Sequence, residues 1–141
     1  MSIPELDNLV AIGKLKAEPG TRTEFDGLLN SARKRLADAR NENLAAESRF
    51  DLAYNAAHGF ALAALRHKGY RPENRYMVFQ ALAHTLGLAP AMWRVLAKAH
   101  TDRNLAEYEG RSEVDEQLLV DLIQCTSALE AEVAKLKALP K

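Results

Sequence analysis

The sequence predicts an all-α fold, an up-and-down antiparallel bundle of about five to six helices. Three observations carry this expectation. Alanine and leucine are abundant, while glycine and proline sit at punctuation points between longer segments. Within those segments apolar residues recur at helical spacing, and none alternates with the period of a strand. The connections are short, which makes neighbouring helices antiparallel. The expected organisation is an N-terminal helix and turn over 1–20, then a single bundle domain over 21–141.

Ser2 with Glu5 forms a capping-box pattern that opens a short first helix reaching about Lys16, and Pro19-Gly20 closes the segment. Thr21 with Glu24 opens the second, where Phe25, Leu28, Leu29, Ala32 and Leu36 share one face and Arg33, Lys34 and Arg35 lie on or near the other. Asn43 is the expected cap of a long third helix running to about Lys68. Gly69 ends it as a C′ residue, and Pro72 prevents its resumption. A fourth helix is expected from Arg75 to Leu86, stopped by Gly87. Pro90 falls in the first turn of the fifth, where its missing N–H costs nothing, and Gly110 ends that element. Ser112 with Asp115 caps the last helix, which aligns Leu118, Leu122, Cys125, Leu129, Val133 and Leu136.

With 141 residues and 48% apolar composition the chain is long enough to bury a real core. No apolar run approaches membrane-spanning length, so no membrane partner is expected. The start, MSIPELDNL, lacks the basic region and apolar run of a leader. The single cysteine, Cys125, excludes an internal disulfide framework and fits a cytoplasmic setting; its place on an apolar stripe reads as a buried structural thiol. Net charge is zero, which argues against a protein coated with base for gripping long duplex. The charge is nonetheless uneven: seven Lys or Arg lie between Arg66 and Arg103 against Glu73 and Asp102, and the balance reverses after Asn104. Such a distribution suits local phosphate attraction, faces of neighbouring subunits, or plain solvated helix surface.

Phosphate-cradling glycine loops, paired cysteines and the zinc-binding H-E-x-x-H pattern are absent. His58, His67, His84 and His100 never pair at i,i+4, so neither a metal centre nor any other cofactor is expected. Two places hold chemistry. On the third helix Asp51, Asn55 and His58 recur at i, i+4 and i+7 beside a wide apolar surface. That strip either faces solvent and satisfies local backbone, or faces a shared pocket. On the fifth helix Arg103 continues the apolar stripe of Met92, Val95, Leu96 and Ala99. A charge enters such a stripe when it is paired, here with Glu107 or Asp51, or when the stripe opens onto a working groove. His100 lies one turn before Arg103; Asn104 and Tyr108 follow it. An arginine and an imidazole together can hold a phosphate and move a proton, which RNA cleavage through the 2′-hydroxyl requires.

The stretch YNAAHGFALAALRHKGYRP, followed by a helix pair and then DRNLAEYEG, resembles the HEPN superfamily of small helical bundles over roughly residues 24 to 130. The resemblance implies a homodimer in which motifs from two subunits line one cleft. It further implies either a metal-independent endoribonuclease, often the toxin of a toxin–antitoxin pair with a nucleotidyltransferase-like protein partner, or a module that binds RNA, nucleotide or protein. Arg103 matches the arginine of the family's Arg-x4-6-His motif, and Asn104 its polar neighbour. The position five after the arginine is Tyr108 instead of histidine, and tyrosine is a poor general base at a reference pKa of about 10. The expected function is therefore a HEPN-like binding module without efficient catalysis. The alternatives are a ribonuclease using Arg103 with His100 or His58, its binding residues being Asn104, Tyr108, Asp51 and Asn55, and a structural or adaptor bundle.

Overall fold

A computed structural model describes residues 3–109, 114–137 and 139, with the side chains of Arg75, Tyr76, Ala83 and residues 105–109 outside the description. The elements in order are α1 (Pro4–Ala11), β1 (Leu15–Ala17), α2 (Arg22–Ala39), α3 (Ala46–His67), β2 (Tyr70–Pro72), α4 (Arg75–Gln80), α5 (Leu82–Thr85), α6 (Pro90–Glu109) and α7 (Glu116–Ala134). The fold is mostly helical, as expected for an all-α bundle. α3 is its axis, packed against α2 and α7 and, along its remaining surface, against α4, α5 and α6.

Local chemistry explains most of the boundaries. Thr21 Oγ1 accepts from Glu24 N at 3.1 Å and opens α2. Asn74 Oδ1 accepts from Met77 N and opens α4, while Asp115 Oδ1 accepts from Gln117 N and Leu118 N and opens α7. Ser112 and Ser2, the expected partners at two helix starts, lie outside the described residues; Pro4 occupies the first turn of α1. Gly69 takes φ +90° just past α3, the C′ conformation that a side chain would strain.

Three expectations need correction. The first helix stops at Ala11, five residues short of Lys16. The chain turns at Gly13 and then pairs as β1 with β2 in antiparallel register, Leu15 opposite Pro72 and Ala17 opposite Tyr70. Three-residue strands are too short to display a period, which is why they cannot be seen in the sequence. Asn43 does not cap α3, because its own N–H donates to Asn41 Oδ1 in a local turn and the helix starts at Ala46. The fourth helix is broken at Ala81, whose carbonyl accepts from both His84 N and Thr85 N as the turn tightens.

Two groups of buried side chains hold these elements. The larger is built from the faces of α2, α3, α6 and α7 together with α4 and α5, with Phe25, Leu36, Phe60, Phe79, Leu96, Leu122 and Leu129 among its bulky members. Alanines 53, 56, 57, 61 and 64 make most of α3's share, which lets α2 and α7 approach closely. The smaller joins Leu6 and Leu15 to Leu65, Tyr70, Met77 and Ala81. It seats the N-terminal segment at the C-terminal end of α3.

That end is fastened by Arg66, whose side chain is only 3% exposed. Its Nε donates to Glu24 Oε1 at 2.9 Å; Nη1 donates to the carbonyls of Glu18 and Tyr70; Nη2 donates to the Pro19 carbonyl and meets Glu18 Oε2 at 3.0 Å. Arg71 pairs with the same two carboxylates from the solvent side. A Cβ on Gly20 would collide with the Arg66 carbonyl oxygen, so the linker into α2 can lie this close only because residue 20 has no side chain. The hydrogen bond from Arg71 is the largest cause holding the Glu18 carboxyl below its usual range, with Arg66 and Lys16 adding attraction.

Candidate functional site

The seam between α3 and α6 collects most of the residues that the sequence singles out. Its hub is Tyr54, fully buried on α3. A buried tyrosine needs a partner for its hydroxyl, and Tyr54 Oη lies 2.9 Å from His100 Nδ1. Its ring meets Phe79 edge-on at 5.7 Å, and the Arg103 guanidinium lies over it at 5.0 Å from the ring centroid. That contact is a cation–π interaction in a partly desolvated place, worth about 1 kcal/mol.

Arg103 also meets Asp51, one turn earlier on α3, at 3.7 Å from Nε to Oδ1. The Arg103 side chain is 24% exposed and that of Asp51 61%. The carboxylate therefore remains hydrated, and a pair this long and this wet contributes below about 1 kcal/mol. Of the two partners expected for Arg103, Asp51 is the one observed; the side chains of Glu107 and Tyr108 lie outside the described residues.

His100 is held on both sides of its ring. Nδ1 faces Tyr54 Oη, and Nε2 lies 3.2 Å from Asn104 Nδ2. With the amide donating to Nε2, the ring proton sits on Nδ1 and is donated to Tyr54; with the amide reversed, Tyr54 donates to Nδ1 and Nε2 donates to the Asn104 carbonyl. In both arrangements a neutral imidazole has its two nitrogens engaged by protein.

The structure thus brings Asp51, His100, Arg103 and Asn104 around Tyr54. Asn55 lies on the same flank of α3 and gives an amide hydrogen bond to the Asp51 carbonyl at 2.9 Å, a bond within its own helix. His58, one turn further, stands edge-on to Phe79 at 6.0 Å, and Phe79 in turn lies 6.5 Å from His100. His58 reaches the site through that ring. The sequence shows Tyr54 and Phe79 as aromatics of apolar surfaces and not as site residues, because both fit an apolar stripe. The available signal was that a tyrosine so placed must bury a hydroxyl.

On the far flank of α6, Cys125 of α7 is buried against Met92, with its thiol 3.7 Å from the Met92 carbonyl. Burial pushes that thiol up to about 12, which fits a structural residue and not a nucleophile. Among the described residues no three His, Cys, Asp or Glu side chains converge as metal ligands would. No helix there is long and apolar enough to cross a membrane. No protein-family model matches the chain, and no curated protein matches it significantly.

Proposed function

We propose that the chain is a HEPN-like module that binds RNA or a nucleotide by a phosphate at Arg103, without efficient catalysis. The observation that carries this reading is the condition of Arg103. It lies on a stripe of apolar residues, its guanidinium carbon lies over a buried ring at 5.0 Å from the centroid, and its Nε is 3.7 Å from a hydrated carboxylate. A phosphate can replace Asp51 there with little loss, and it gains the bidentate, charge-assisted contact that guanidinium provides. His100 and Asn104 border the same place. In a dimer, two such seams would face one cleft. A nucleotidyltransferase-like protein is the partner that the HEPN resemblance implies.

The engagement of both His100 nitrogens favours binding over proton transfer, since a general base needs a lone pair aimed at the substrate hydroxyl. The ribonuclease reading draws support from one contact: His100 and Arg103 share Tyr54, so release of a single hydrogen bond would put an imidazole beside the phosphate. A labelled mixed RNA pool, incubated with the protein in chelator, separates the readings. Retention of RNA by the wild type but not by Arg103→Ala, with the RNA intact, is the expected result. Cleavage leaving 2′,3′-cyclic phosphate ends and abolished in both Arg103→Ala and His100→Ala would establish the ribonuclease instead. RNA neither retained nor cleaved would leave a structural or adaptor bundle.

A further inference from the structure

The N-terminal segment and the Arg103 seam are joined through α4. That helix has six residues and carries apolar side chains on two sides. Met77 and Ala81, one turn apart, belong to the smaller core with Leu6, Leu15, Leu65 and Tyr70. Val78 and Phe79 belong to the larger one. α3 also reaches both cores, through Leu65, but it is gripped along its length by α2 and α7. The N-terminal segment holds the start of α4 directly as well. Ribbon pairing runs one residue past β2, where Glu73 N donates to the Lys14 carbonyl at 3.2 Å and Lys16 Nζ meets the Glu73 carboxylate at 3.8 Å. Asn74, the next residue, is the N-cap of α4. At the other end of β2 the Tyr70 hydroxyl donates to Asp7 of α1 and accepts from Ile3 N. On the far side of α4, Phe79 stands edge-on to Tyr54, His58 and His100, with ring centroids 5.7, 6.0 and 6.5 Å away.

We propose that the N-terminal segment is a regulatory clasp on the seam. Seated on β2 and α4, it holds Phe79 against Tyr54 and His100; lifted, it loosens both rings and with them Arg103. The clasp is held lightly enough to lift by itself. It contributes Leu6 and Leu15 with the half-buried Ile3, Leu9 and Val10, and its strand pairs over three residues. An element with so few buried contacts opens at lower free energy than the helices packed around α3. Its opening reaches the seam by packing. Without Leu6 and Leu15, Met77 and Ala81 face water, and a six-residue helix has too little stability of its own to keep its other side fixed. The coupling is reciprocal, so a change that loosens Phe79 must weaken the clasp in turn. It holds whatever the seam binds, and it stands or falls apart from the phosphate reading of Arg103.

The test needs no ligand. Leu6→Asp puts a charge where the smaller core excludes water, and should lift the clasp while the larger core keeps the protein folded. Circular dichroism checks that the helices remain. Loss of amide protection at Glu18 and Glu73, which bond to Gly69 and Lys14 across the ribbon, shows the clasp open. In that state the ring-proton NMR signals of His100 should shift. Trp93, which lines a cavity with Phe79 and Leu82, should emit further to the red. In the opposite direction, Phe79→Leu should speed exchange of the Glu18 and Glu73 amides about tenfold. That second variant decides the matter if Leu6→Asp does not fold. A clasp shown open with either the His100 signals or the Trp93 emission unchanged would overturn the inference. Clasp amides that exchange at the wild-type rate in Phe79→Leu would overturn it equally.

Discussion

Two arginines interrupt apolar surface in this protein, and they do so in opposite ways. Arg66 ends the apolar surface of α3, is 3% exposed, and donates to a ring of carbonyl and carboxylate oxygens drawn from the N-terminal linker, α2 and β2. Arg103 interrupts the stripe of α6, is 24% exposed, and lies on an aromatic face beside a hydrated carboxylate. The first guanidinium is a staple: it was desolvated on folding and repaid by fixed acceptors, so removing it strands those acceptors. The second keeps water and a replaceable partner. Exposure, not the presence of a charge on an apolar face, distinguishes the two arginines, and under the reading proposed above the more exposed one is the binding residue.

The largest effect that would test this contrast is on stability. Arg66→Ala should cost about 3 kcal/mol, at the low end for a broken buried pair because Glu18 and Glu24 keep contact with water. Thermal melting should show a drop on the order of 10 °C for a domain of this size. A loss below about 1 kcal/mol would mean the staple is not what holds the N-terminal segment. Tyr54→Phe comes next: it removes the hydroxyl between α3 and α6 and takes a partner from His100 Nδ1, at a cost of about 1 kcal/mol by urea unfolding. An unchanged midpoint would deny Tyr54 its place as hub.

Acid should loosen the staple. The folded Glu18 carboxyl titrates below its ordinary value, so its contribution is present above that value and is lost as pH falls through the folded one. Amide exchange in Leu15–Ala17 should therefore accelerate below about pH 4 while amides of central α3 stay protected. Equal acceleration in both would show that the clasp is not a separate unit. The smallest effect belongs to the other arginine. A double-mutant cycle of Asp51→Ala with Arg103→Ala should give a coupling under about 1 kcal/mol. A coupling near the size of the Arg66 effect would make Arg103 a second staple.

How much of this could be read in the sequence follows the range of the interactions. Long amphipathic helices announce themselves, and the caps at Thr21 and Asp115 lie within a few residues of what they bond. The β1–β2 ribbon joins segments more than fifty residues apart with three residues each, so neither strand carries a signal of its own. Arg66 reads as an ordinary basic residue ending a helix, because its acceptors are mostly backbone oxygens that sequence does not distinguish. At the seam, the i,i+3 spacing of His100 and Arg103 was visible, as was Asp51 as a candidate partner across the bundle. Tyr54, which joins them, was hidden by being a good core residue as well.

The most direct test of the central claim, that Arg103 holds a phosphate by giving up Asp51, is the affinity of single-stranded RNA for the wild type, Asp51→Asn and Arg103→Ala at two salt concentrations. A phosphate that displaces the carboxylate should bind Asp51→Asn more tightly than wild type. It should bind Arg103→Ala far more weakly, and the affinity should fall with salt less steeply once that cation is gone. Asp51→Asn weakening RNA as much as Arg103→Ala does, or Arg103→Ala leaving affinity and salt slope unchanged, would contradict the account.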